Sequence, residues 1–149
     1  MTVSDFYLAG QYVSGQAIRT VAVHSPVTGE QLTEIPIATA DELDRAVKAA
    51  RAAFDDYQHW SVYERAELCH RVAALIEANT DELARLTTLE QGKPIAEARG
   101  DVEDSAALFS VSAEDAKRLY GEVIPSTDRN KRMYTFRRPV GVWGTITPW

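Results

Sequence analysis

A chain of 149 residues can bury one sizeable core, so its length points to one domain or to a piece of a larger one. Hydrophobic residues at 45% and charged residues at 26% place it among globular chains and exclude a disordered one, while 22 acidic against 16 basic residues leave a charge of −6 that argues against a nucleic-acid surface. No apolar run reaches the roughly 18 residues that mark a membrane span, the start carries Asp5 and no basic leader, and the lone Cys69 excludes an internal disulfide, so a reducing, cytoplasmic setting is expected.

Short antiparallel strands are expected over residues 6–36. Phe6-Tyr7-Leu8, Gln11-Tyr12-Val13, Val21-Ala22-Val23 and Leu32 to Ile35 are separated by turn signals at Ala9-Gly10, Ser14-Gly15 and Pro26 to Gly29. Thr39 with Glu42 forms a capping box, and Leu43, Ala46, Val47, Ala50, Ala53 and Phe54 follow at helical spacing. A helix is therefore predicted over 40–57, its alanine-rich face closely packed. Ser61 with Glu64 repeats the signature ahead of Leu68, Val72, Leu75 and Ile76, in a second helix that ends near Asn79. Cys69 lies beside that stripe and reads as a buried thiol.

Asn79 is expected to cap a third helix carrying Leu83, Leu86 and Leu89, with Gly92 supplying a left-handed stop. Pro94 suits the first turn of a fourth, whose stripe runs through Ile95, Ala98, Val102, Ala106, Phe109, Ala113 and Ala116 to a predicted end at Tyr120-Gly121. The period then changes to two. Val123-Ile124 and residues 133–136, joined through Asp128-Arg129-Asn130, read as a hairpin or β arm with Pro125 at an edge. Residues 140–147 are apolar and β-branched, as in a strand buried on both faces of a parallel sheet. Its parallel partner requires a crossover beyond Trp149.

Searches for chemistry among these residues yield little. Gly141 and Gly144 lack the third glycine and the strand-to-helix setting of a dinucleotide fingerprint, and His24, His59 and His70 have no metal-ligand spacing. Glu97, Asp101 and Asp104 share a solvated helix face. Lys131, Arg132, Arg137 and Arg138 read as a solvated strand edge, and Trp60, Phe109, Tyr120 and Phe136 as core or interface anchors. Residue chemistry alone gives an α/β chain without a visible site.

Four stretches in order add a resemblance. They are the turn Ser25-Pro26-Val27-Thr28-Gly29-Glu30, the pair Glu64-Arg65, the junction Leu89-Glu90-Gln91-Gly92-Lys93-Pro94, and the run from Arg138-Pro139-Val140-Gly141 to Thr147-Pro148-Trp149. Together they resemble the N-terminal part of the aldehyde dehydrogenase superfamily, with the junction and the run from Tyr120-Gly121 to Pro125 most similar to the succinate-semialdehyde dehydrogenase branch. Ser25 departs from the asparagine usual in that turn, and its hydroxyl can make a similar local bond.

The resemblance implies an α/β architecture in three parts: strands and four packed helices over 1–121, a β arm for oligomerisation over 122–140, and over 141–149 the first parallel strand of a Rossmann-like cofactor domain. It implies oxidation of an aldehyde by NAD or NADP through a cysteine thiolate and a glutamate-activated water. Neither group matches a residue of this chain, which is expected to be inactive alone. Ile146, Thr147, Pro148 and Trp149 match the strand end lining the cofactor cleft, and Asp101, with backbone oxygens near Val23 and His24, matches a monovalent-cation position. A homo-oligomer acting on a small aldehyde, with no nucleic-acid or membrane partner, is expected. The alternative from a different class is a non-catalytic assembly or interaction module.

Overall fold

The computed structural model describes residues 5–13 and 19–147. Strands β1 (Phe6–Leu8) and β2 (Gln11–Val13) pair antiparallel through Ala9 and Gly10. Both turn residues have positive φ, 53° and 84°, which is the backbone twist a two-residue hairpin needs. Tyr7 and Tyr12 stack edge to face across the pair at 5.2 Å. The turn expected at Ser14-Gly15 lies outside the described residues.

β3 (Thr20–His24) and β4 (Gln31–Pro36) form a second antiparallel ladder, with a bulge between Val23 and His24. The connecting turn closes on itself. The Ser25 N–H donates to the Glu30 carbonyl at 2.9 Å and the Gly29 N–H to the Ser25 carbonyl at 2.8 Å. The buried Ser25 hydroxyl accepts from the N–H groups of Val27 and Thr28, each at 3.3 Å, so serine performs the local bonding expected of it.

α1 (Ala40–Tyr57) and α2 (Val62–Ala78) start at complete capping boxes. Thr39 and Ser61 each accept from the N–H of the glutamate three residues on, and Glu42 and Glu64 each reach back to the cap N–H. α3 (Thr80–Gln91) begins differently from the expectation. Asn79 gives it no side-chain cap; its Nδ2 instead donates to the Leu75 carbonyl at 2.7 Å, because the end of α2 leaves carbonyls without intrahelical partners. Thus one asparagine finishes α2 and leaves the start of α3 uncapped by a side chain.

α4 (Ile95–Ala116) opens directly after Pro94 and ends four residues short of Tyr120. The Arg118 N–H bonds to the Asp115 carbonyl and the Leu119 N–H to Ala116, so the final turn tightens to a three-residue step. Lys117 and Arg118 fold back to pair with Glu114 and Asp115, compensating the end of the helix locally.

The helices meet mainly as α2 against α4 and α3 against α4. Their buried seam is Ala66, Ala73, Ala84, Ala98, Val102, Ala106 and Ala113, with Ile76 packed against it. Small side chains let backbones approach closely, and no larger residue is fully buried among the described ones. The alanine-rich face of α1, expected to be closely packed, is largely open, with Leu43 and Val47 exposed. Among the described residues no helix packs substantially on it.

At the α3–α4 junction Gly92 has φ +72° and accepts the left-handed cap. A Cβ added there stands 3.0 Å from Val27 Cγ2 and 3.1 Å from Pro26 Cγ. The 25–30 turn therefore rests on this junction, which joins the β3–β4 ladder to the helices.

The arm consists of β5 (Val123–Ile124) and β6 (Met133–Tyr134), antiparallel and shorter than the run through Phe136 that the sequence suggests. Its base is extended by Thr135 N–H to the Glu122 carbonyl and Glu122 N–H to Thr135 Oγ1, both 2.9 Å. A Cβ at Gly121 collides with the Thr135 carbonyl at 1.9 Å, so this base closes only around glycine. Residues 141–147 form no strand of the three described sheets, and residues 148 and 149 lie outside the described residues.

His70 Nε2 lies 3.1 Å from Glu114 Oε1, which Lys117 Nζ approaches to 2.8 Å, an exposed tie between α2 and α4. The Lys117 hydrogen bond, then that of His70, holds the Glu114 carboxyl below the usual carboxylate range. A depressed folded-state pKa gives stabilisation present above the unfolded-state pKa and lost as pH falls through the folded-state one.

Two outcomes follow from these contacts. Gly92→Ala should lower unfolding free energy by about 1–2 kcal/mol through the left-handed backbone alone, and urea titration followed by circular dichroism measures it. The stability difference between the parent chain and Glu114→Gln should be small, largest near neutral pH, and should shrink as pH falls below the ordinary carboxylate range; urea midpoints across that range measure it.

Candidate functional site

An apolar concavity with aromatic walls lies where the end of α1 faces the segment after the arm. Ala53, Phe54, Tyr57 and Trp60 form one side and Gly141, Val142 and Trp143 the other, around a cavity of about 480 Å³. Phe54, Tyr57 and Trp60 recur every three residues at the close of the helix. Phe54 and Tyr57 share a face of the last turn of α1, and Trp60 follows in the link to α2. Tyr57 and Trp60 rest 5.1 Å apart, the Trp60 Nε1–H donates to Asp56 Oδ2 at 3.2 Å, and the Arg51 guanidinium lies over Phe54.

A second set of contacts positions Trp60 from α2. Arg65 Nη1 donates to the Trp60 carbonyl at 2.5 Å, fixing the short link between the helices. Beside it, the backbone and then the side chain of Ser61 hold the Glu64 carboxyl below its ordinary range. The Glu64-Arg65 pair thus acts locally, the carboxylate completing the cap while the guanidinium secures the preceding loop.

Gly141, at φ +123°, turns the chain into the wall of this groove. Trp143 lines it while remaining 73% exposed, so the groove is open rather than filled. Of the residues expected at the cofactor cleft, Ile146 is 97% exposed and Thr147 lies beside it on the same extended run. Pro148 and Trp149 fall outside the described residues. The groove itself escapes sequence reading because α1 and residues 141–143 lie far apart in the chain; the three-residue aromatic spacing was its one available signal.

The residues suggested for a cation occupy two elements. Val23 and His24 flank the β3 bulge, while Asp101 lies on α4 and pairs with Lys93 Nζ. Their expected ligand set is one carboxylate with backbone oxygens. Among the described residues no group of three or more His, Cys, Asp or Glu is arranged to hold a metal ion. Cys69 is a free, half-buried thiol within α2.

Residues 12–149 match the aldehyde dehydrogenase family. The chain is 43% identical over 143 residues to 3-sulfolactaldehyde dehydrogenase of Pseudomonas putida, covering 96% of this chain and 29% of that protein. It is 36% identical over 140 residues to the succinate-semialdehyde dehydrogenase (NADP+) of Escherichia coli (strain K12), covering 94% and 29%. The crystal structure of succinate-semialdehyde dehydrogenase from Burkholderia pseudomallei superposes with a TM-score of 0.81 at 38% identity, over 87% of this chain and 27% of that one. The chain spans about three tenths of the length of the curated relatives it matches. The match over residues 12–149 shows that this chain belongs to the aldehyde dehydrogenase family.

Proposed function

We propose that this chain is the N-terminal portion of a cytoplasmic NAD(P)-dependent aldehyde dehydrogenase that oxidises a semialdehyde, succinate semialdehyde in the first instance, to the carboxylic acid. The observation that carries this reading is the family match over residues 12–149, joined to relatives named for semialdehyde and sulfolactaldehyde oxidation. The relative in Escherichia coli is named for NADP+, which supports a nicotinamide cofactor here.

The stretch 139–147 fits one wall of a cofactor cleft. It has no charged residue, and Ile146 is open to cover a flat ring. It has no cation to neutralise phosphates, so Ile146, Thr147, Pro148 and Trp149 would orient the cofactor and exclude water while other parts of the protein hold its phosphates. When bound, NAD(P) would supply the hydride acceptor for the oxidation. In a complete sheet, residues 141–149 are the first parallel strand of the cofactor domain, following the unit 1–121 and the arm 122–140.

The arm joins subunits in this reading, offering exposed Val123, Tyr134 and Phe136 to a second copy. Asp101 and the backbone oxygens of Val23 and His24 take a monovalent cation once Asp101 is released from Lys93. A second reading, a non-catalytic assembly module, draws on the same exposed arm together with exposed Val140, Trp143 and Ile146.

Half-buried Cys69 in α2 is not assigned the nucleophile's role, because its thiol lies within the helical layer rather than on the groove wall. The 149-residue chain incubated with succinate semialdehyde and NAD+ or NADP+ should give no reduced nicotinamide by absorbance. A polypeptide extended to the length of the family's members should give it. Turnover by the short chain, or none by the extended one with any semialdehyde, would overturn the corresponding half of the proposal.

A further inference from the structure

A second cavity, of about 640 Å³ and also touching Trp60, is lined by three arginines, Arg65, Arg137 and Arg138, together with Gln58 and Ser61. None of its lining residues is acidic. This distribution is unusual for a chain of net charge −6. Three guanidinium groups around one concavity repel one another unless an anion stands between them.

The neighbouring carboxylates are already engaged. Glu64 is folded onto the Ser61 N–H, Asp56 accepts from the Trp60 indole, and Asp55 pairs with Arg51. Arg65 is held in place by its bond to the Trp60 carbonyl, which occupies only one edge of the guanidinium. Among the described residues Arg137 and Arg138 have no ion pair, although Asp128, Glu122 and the helical acids belong to the same chain.

We infer that the cavity formed by Arg65, Arg137 and Arg138 against the start of α2 is an oxyanion-binding site, taking a phosphate or carboxylate group. The fork of a guanidinium matches the two oxygens of such a group, which lysine cannot do as well, and all three cations here are arginines. Gln58 and the Ser61 hydroxyl add uncharged polar groups to the same wall. The cavity shares with the aromatic groove only Trp60.

One chemistry can come from two sources: a free small anion, or a carboxylate carried by a second copy of this acidic chain. Inorganic phosphate is titrated into the 149-residue chain at constant ionic strength set with chloride, with arginine Nε–H and Trp60 indole resonances followed by nitrogen-15 NMR. Saturable shifts at Trp60 and Arg65 are expected. The double variant Arg137→Gln, Arg138→Gln should weaken binding by about tenfold or more, as loss of two charge-assisted partners implies. The variant Lys131→Gln, Arg132→Gln removes the same charge outside the cavity and should leave binding within about twofold.

Sedimentation of the same samples separates the sources. Self-association that phosphate dissolves and the Arg137, Arg138 variant abolishes would identify a carboxylate of a second copy as the occupant; a monomer with saturable phosphate binding identifies a free anion. Shifts that chloride reproduces, or an equal loss in both double variants with circular dichroism unchanged, would overturn the inference in favour of net charge alone.

Discussion

Close approach of α4 to α2 and α3 across an alanine seam governs the rest of this structure. Ala66 and Ala73 on α2, Ala84 on α3, and Ala98, Ala106 and Ala113 on α4 put a methyl at most of the buried positions, with Val102 among them and Ile76 packed against the seam. Interiors tolerate little change in volume, so this seam sets the spacing of the helices directly. Everything attached to their ends inherits that spacing: the junction at Gly92, the base of the arm at Gly121 and the loop held by Arg65.

Gly92 shows how two distant motifs serve one contact. The Ser25-Pro26-Val27-Thr28-Gly29-Glu30 turn and the Gly92-Lys93-Pro94 junction look unrelated along the chain. In the fold, Pro26 and Val27 occupy the space a side chain at residue 92 would need. The left-handed conformation and the tight packing therefore select glycine for two separate reasons, one local and one long-range. Lys93, next in sequence, reaches Asp101 on the following helix and ties the junction to α4.

What could be read from the sequence divides along the range of the forces involved. The boxes at Thr39 and Ser61 were legible because both partners lie within one turn, and so was the Ala9-Gly10 hairpin. Asn79 was not, because its side chain can accept from the next helix or donate to the last, and the Leu75 carbonyl decides. The end of α4 was overrun because its stripe continues in sequence past Ala116, while Lys117 and Arg118 turn back to Glu114 and Asp115. Apolar patterning also suggested a packed α1 and a strand over 140–147, yet a pattern names a face without supplying what covers it. Motif resemblance singles out Ile146 and Thr147, which are not among the residues lining the groove, whereas the groove between Tyr57 and Trp143 and the arginine cavity depend on segments brought together only by folding.

The alanine seam inverts the usual ranking of which positions a chain can vary without harm. Large residues normally anchor a core, and their replacement does the damage. In this chain wide side chains such as Trp143, Tyr120 and Leu108 are exposed, and six of the seven buried hydrophobic residues among the described ones are alanines. At the alanines each added methylene has to separate two helices, so these positions tolerate the least increase in volume. Size, rather than hydrophobicity, is the property that packing constrains along this interface.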